Sequence, residues 1–266
     1  MLSPQRSLKL ARMGLGVATF VIALESWVLL RLVAEGRYAM PVFSWVPPPT
    51  ETTVSVYLVM AILSAVAITL GFHVTTASVV STALSCLVLV WDQQTFSNHL
   101  WLALVMVALL APAHAGASPR ALGVSGTAPL PQWPLTLMKA QLSVCYAFAA
   151  LSKLNPAFLS GHPLAEWMRW DLAWLPALVL SVATVIVELF LAGGLWFHRS
   201  RRLAVLLGFG LHASIVVMIG QETLALIAFS ITCMCLYPLF LTSGASSGRG
   251  VTTSLPSQSR TSGRPF

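Results

Sequence analysis

The sequence predicts an all-α fold, a polytopic integral membrane bundle of about eight transmembrane helices plus a short interfacial helix, and three observations carry that prediction. Of 266 residues, 57% are hydrophobic and only 9% charged, with a mean hydropathy of +0.82, where a soluble domain carries roughly 25% charged residues. The apolar residues fall into runs of about 20, the length a helix needs to cross the hydrocarbon core, and lack the period-two alternation of barrel strands. Lysine and arginine are distributed unevenly between successive connections, as topology signals are.

The first span, 10 to 32, follows Arg6, Lys9 and Arg12. This has the outline of a signal peptide, but no small-residue cleavage site follows and the run continues through Glu25, Ser26 and Trp27, so it reads as a retained span. An outer loop, 33 to 52, contains Pro47, Pro48 and Pro49. Spans at 53 to 72, 75 to 91 and 98 to 114 come next, then a flexible inner loop at 112 to 134, rich in Ala, Gly, Ser and Pro. The fifth span, 135 to 154, ends on Lys153. The outer loop 154 to 175 holds a predicted amphipathic helix over 163 to 174, with Trp167, Trp170 and Trp174 at helical spacing. Spans at 176 to 197, 201 to 219 and 222 to 241 complete one domain, 1 to 241. Residues 242 to 266 are too polar to fold and read as a disordered cytoplasmic tail.

With the N-terminus inside, one side holds Arg6, Lys9, Arg12, Arg120, Lys139, Arg199, Arg201, Arg202, Arg249, Arg260 and Arg264, eleven of the fifteen basic residues. Arg31, Arg37, Lys153 and Arg169 fall on the other side with six of the eight acidic ones: Glu35, Glu51, Asp92, Glu166, Asp171 and Glu222. This is the positive-inside pattern, so both termini are expected in the cytoplasm and the span number is even. The net charge of +7 is thereby accounted for without a nucleic-acid partner. Tryptophans near the predicted span ends, among them Trp45, Trp91, Trp101, Trp133 and Trp196, form an interfacial belt. Cys86, Cys145, Cys233 and Cys235 lie in apolar runs, the histidines are dispersed, and no metal site is expected. Phosphate-binding, dinucleotide and hydrolase motifs are missing from the sequence.

Ionisable groups inside spans cost roughly 2.5 to 3.5 kcal/mol each at mid-helix, so each one asks for a reason. The candidates are Glu25, His99, Lys153, Glu188 and His212; His73 and His198 sit at inner loop ends. Lys153 either snorkels to the headgroups or faces the bundle interior, where a lysine can act as a base. His99 opens the fourth span on the same side, so the two can meet, and Asn98 beside it is the expected helix cap. Glu188 and His212 lie on successive spans and are expected to form a structural polar pair, a task Glu25 could perform for the first span.

The run Gln141, Tyr146, Ala149, Lys153, Leu154, Phe158, Gly161 resembles the signature of the horizontally transferred transmembrane (HTTM) domain proteins, relatives of the vitamin K-dependent gamma-carboxylases. Asn98 with His99, and Glu188 with Arg201 and His212, extend the similarity over most of residues 10 to 241. The resemblance implies that Lys153 is the base that deprotonates a reduced lipid quinone of the vitamin K hydroquinone type, at an extracytoplasmic site that His99 supports. Tyr146, Trp167 and His212 are further candidates to hold that cofactor. The sequence departs from the carboxylases after Leu241, where a polar stretch stands in place of the large region that holds their substrate. Two functions follow as expectations. One is a gamma-carboxylase-like or quinol-using enzyme, paired with a partner that carries a soluble domain. The other is a non-catalytic factor for export, maturation or immunity of a small secreted peptide. Either would be a multi-pass protein of a cell membrane, the inner membrane of a bacterium, in contact with membrane lipids.

Overall fold

The apolar runs become helices wherever no breaker interrupts them. The computed structural model describes residues 2–37, 40–115, 130–171, 173–220 and 223–242. Most of the inner loop and of the polar tail, together with Glu222, Arg120, Arg249, Arg260 and Arg264, lies outside these residues. The helices are α1 (Pro4–Ala34), α2 (Glu51–Leu70), α3 (Val74–Trp91), α4 (Asn98–Ala115), α5 (Gln132–Lys153), α6 (Pro156–Leu159), α7 (His162–Trp167), α8 (Trp174–Gly194), α9 (Arg201–Met218) and α10 (Thr223–Phe240). Seven of them, α1 to α5 with α8 and α9, are long and apolar enough to cross a membrane. The remaining long helix, α10, corresponds to the eighth predicted span and packs against α1, α4, α5 and α9.

Local chemistry explains the helix boundaries. Ser3 and Thr50 cap α1 and α2 by accepting hydrogen bonds from the Arg6 and Thr53 amides, at 3.3 and 3.2 Å. At the end of α2, Gly71 adopts φ +90° and its amide donates to the Ala67 carbonyl. Arg12, counted with the cytoplasmic flank, is buried and donates to the Ile68 and Thr69 carbonyls. A guanidinium thus satisfies the last carbonyls of α2 and complements its dipole, and a side chain at residue 71 would collide with it.

Two large clusters, with a small third one beside α6, form the interior. One centres on Leu15, Leu110, Met138, Leu142, Leu191 and Leu236, the other on Ile22, Leu30, Tyr57, Val88, Trp91 and Leu100. Trp91, expected in the interfacial belt, belongs to the second and is buried. The outward faces are apolar as well: Leu63, Phe148, Ile186 and Leu206 are all more than half exposed. A molecule greasy on both sides of its helices is built for lipid.

The segment after α5 departs most from expectation. Residues 154 to 175 were expected as an outer loop, yet α5 ends beside Glu188, which is fourteen residues into α8, about 21 Å along that helix at 1.5 Å per residue. The chain then climbs along α8. Phe158 packs with Ala150 and Val185, and Gly161, at φ +83°, brings its backbone against Ala177 and Leu178. Irregular backbone at membrane depth persists only where its polar groups are satisfied within protein. Asn155 does this by donating to the Ser152 carbonyl (2.8 Å) and accepting from the Phe158 amide (2.9 Å).

The predicted interfacial helix over 163 to 174 is also corrected, because α7 stops at Trp167. Met168 turns extended and bridges to Ile219, while the Arg169 guanidinium donates to the Ile219 and Val216 carbonyls at the end of α9. Closing the end of α9 takes precedence over extending the amphipathic pattern, so Trp170 falls between helices and Trp174 opens α8.

Candidate functional site

Tyr146 and Lys153 are seven residues apart on α5, which places them on one face two turns apart. Ala149, between them on that face, leaves room in front of both. The face looks into a cavity of about 760 Å³ enclosed by α4, α5, α9 and α10, with contributions from α7 and α8. His99, Tyr146, Lys153, Trp167, Glu188 and His212 all line it. Of the ionisable groups singled out by the sequence, all but Glu25 line this one chamber, and Glu25 reaches it through its bond to His99. Trp101, Val144 and Phe148 form an apolar rim, and Phe148 is 68% exposed on the outer surface. The chamber opens sideways, towards where lipid would lie.

Three polar stations interrupt the apolar lining. In the first, Lys153 Nζ donates to Glu188 Oε1 and Oε2 at 2.7 and 2.8 Å, and to the Ala149 carbonyl at 3.3 Å. The Phe158 ring stands 6.0 Å from the ammonium. Glu188 is buried and Lys153 is a quarter exposed, so the amine turns inward to its carboxylate and does not snorkel.

In the second station the Tyr146 hydroxyl lies 2.7 Å from His212 Nε2 and 2.5 Å from the Tyr237 hydroxyl. All three side chains are buried, and His212 Nδ1 has no partner among the described residues. Tyr237 fits because the facing residue on α9 is Gly208, where a side chain would overlap the phenol.

The third station lies at the start of α4, where His99 Nε2 donates to Glu25 Oε2 and Oε1 at 2.8 and 3.1 Å. The Ser97 hydroxyl accepts from the Leu100 amide at 3.3 Å, so Ser97 caps α4 and Asn98, the expected cap, lines the cavity instead.

These pairings revise one expectation. Glu188 and His212 do not pair with each other: Glu188 binds Lys153 and His212 binds Tyr146. The chain leaves α5 along α8, so α8 packs against α5 as well as α9 and its carboxylate faces α5. Lys153 and His99 share the cavity without bonding each other, since His99 is committed to Glu25. Tyr237 was missed, although the signal was present. It is one of only four tyrosines in the chain, and a phenol within an apolar span must find a polar partner.

Fold and site together define a class: a multi-pass helical membrane protein with polar groups gathered in an apolar, laterally open chamber. The family model of the HTTM domain matches residues 3–243. The chain belongs to the HTTM domain family. No curated protein and no solved structure matches it.

Proposed function

We propose that this HTTM protein is a vitamin K-dependent gamma-carboxylase-like enzyme that uses a reduced lipid quinone at the extracytoplasmic end of its bundle, in the membrane of a bacterial cell. The observation that carries the reading is the Lys153 amine held inside the cavity by both oxygens of Glu188. A lysine there only to anchor the helix would reach for the headgroups.

The residues present fit such a cofactor. The cavity volume of about 760 Å³ lies within the roughly 300–1,000 Å³ of small-molecule sites, and its lining combines apolar walls with a few convergent polar groups. Lys153 and Tyr146 offer polar contacts two turns apart, while Trp167 and Phe229 supply flat apolar surface. His212 carries a buried nitrogen still to be paired. A reduced quinone bound there would supply an acidic phenol and a pair of electrons.

The protein's own part is proton handling. Lys153 can pass a proton to Glu188 across 2.7 Å and so present a neutral amine to the cavity, as general-base catalysis requires. Tyr237 and His212 both hold the Tyr146 hydroxyl, so that it would orient a ligand and not rotate freely. His99, held by Glu25, keeps one face of the chamber polar near the start of α4. Dioxygen would take up the quinol's electron pair and so provide the stronger base that a glutamyl proton requires, carbon dioxide would be the electrophile, and the glutamyl side chain would be brought by a partner with a soluble domain.

The test is turnover of a reduced short-chain naphthoquinone by the protein in proteoliposomes, supplied with dioxygen as the oxidant, carbon dioxide and a glutamyl peptide. Lys153→Ala and Lys153→Arg are both expected to lower the rate by about 100-fold or more, with membrane insertion unchanged. Full activity in Lys153→Arg would overturn the base assignment and favour a non-catalytic factor that assists a small secreted peptide.

A further inference from the structure

At the end of the bundle away from the cavity, two cations share a place without a counter-ion among the described residues. Lys139, in the first third of α5, and Arg201, the first residue of α9, converge on Phe240 at the end of α10. Arg201 Nη1 donates to the Phe240 carbonyl at 3.1 Å, and Lys139 Nζ stands 5.7 Å from the centroid of the Phe240 ring. Both side chains are half-buried and close enough to repel one another.

The described carboxylates lie elsewhere. Glu35, Glu51, Asp92, Glu166 and Asp171 lie at the opposite end, while Glu25 and Glu188 are committed to His99 and Lys153. Holding like charges together in partial burial is unfavourable unless an anion shares the place. Arg201 spends one N–H on a carbonyl and keeps the rest of its planar fork, a geometry suited to phosphate. Trp196 meets the Phe240 ring edge-on at 5.6 Å, and its indole N–H donates to Ser143 Oγ at 2.7 Å. An amphipathic indole fixed in this way marks headgroup depth, and Phe197 next to it is 68% exposed, ready to border an acyl chain.

We propose that Lys139 and Arg201 form a binding site for the phosphodiester of an anionic membrane lipid, seated between α5, α9 and α10. Basic recesses between spanning helices hold lipid headgroups by this chemistry. The site is separate from the cavity and does not rest on the enzymatic reading.

Thermal unfolding of the full chain in neutral detergent tests the proposal, with added phosphatidylglycerol, phosphatidylcholine or inorganic phosphate. Phosphatidylglycerol is expected to raise the midpoint saturably, and the other two are not. Lys139→Gln should shift the half-saturating phosphatidylglycerol concentration upward about fivefold, following the roughly 1 kcal/mol attributed to one basic residue at a lipid surface. Lys139→Arg should retain the wild-type response, which separates lost charge from lost packing. An equal response to both lipids overturns the proposal. So does an equal loss in Arg202→Gln, whose side chain is exposed beside the site, because diffuse surface charge would then suffice. A full shift from inorganic phosphate would reassign the site to a free anion.

Discussion

Glu188 governs the state of Lys153. It is buried, it offers both oxygens to one ammonium, and its removal would leave a cation in an apolar wall. Breaking a fully buried pair costs about 3–5 kcal/mol and an exposed one at most ~1 kcal/mol. With Lys153 a quarter exposed, Glu188→Gln is expected to destabilise the protein by about 2 kcal/mol, read as a lower unfolding midpoint in detergent. Replacing both partners by apolar residues, Lys153→Met with Glu188→Leu, should recover most of that loss, because no charge then remains unpaired. The sequence already marked Lys153, His99, Glu188 and His212, since an ionisable group in an apolar run is conspicuous whatever the fold. It could not assign their partners. That depends on the rotation of each helix and on α8 packing against α5, a non-sequential neighbour.

The long helices were legible to within about three residues, except that α1 starts six residues before the predicted span, because run length and the breakers Gly71, Pro131 and Asn155 with Pro156 mark their ends. What was not legible is depth. Nothing in the residues after Lys153 announces that the chain climbs back along α8, because the decisive contacts are between Gly161 and the α8 backbone, far away in sequence. Gly161 has φ +83° and a side chain there would collide with Ala177 and Leu178, so Gly161→Ala combines strain with overlap. A loss of about 2–4 kcal/mol is expected, accompanied by faster proteolysis between Asn155 and Trp174, where the segment would lift away. Unchanged stability and cleavage would show that the segment does not depend on this approach. The predicted interfacial helix failed for a similar reason: Arg169 closes the end of α9, a demand invisible from the tryptophan spacing.

At the scale of the whole molecule, charge segregation ties sequence to orientation. Arg12, Lys139 and Arg201 gather at one end with the N-terminus of α1 and the end of α10, and Glu35, Glu51, Asp92, Glu166 and Asp171 lie at the other. The basic end is therefore expected in the cytoplasm. In a background without the native cysteines, Arg199→Cys should resist a membrane-impermeant thiol reagent in intact cells, while Phe96→Cys, in the loop before α4, should react. The reverse pattern would place the cavity on the cytoplasmic side. Asymmetry of this kind was readable from eleven residues in the sequence, because topology is set by counting charges and not by packing them.

One consequence follows from α5 ending partway along α8. A proton delivered to the Lys153 and Glu188 pair from the nearer aqueous phase must travel through a fraction of the electric field across the bilayer. A full crossing is worth about 2.3 kcal/mol per elementary charge for each 100 mV. Any chemistry at this amine is consequently coupled to the energised state of the cell, and dissipating the potential with an ionophore would change its rate even with substrate and acidity held constant.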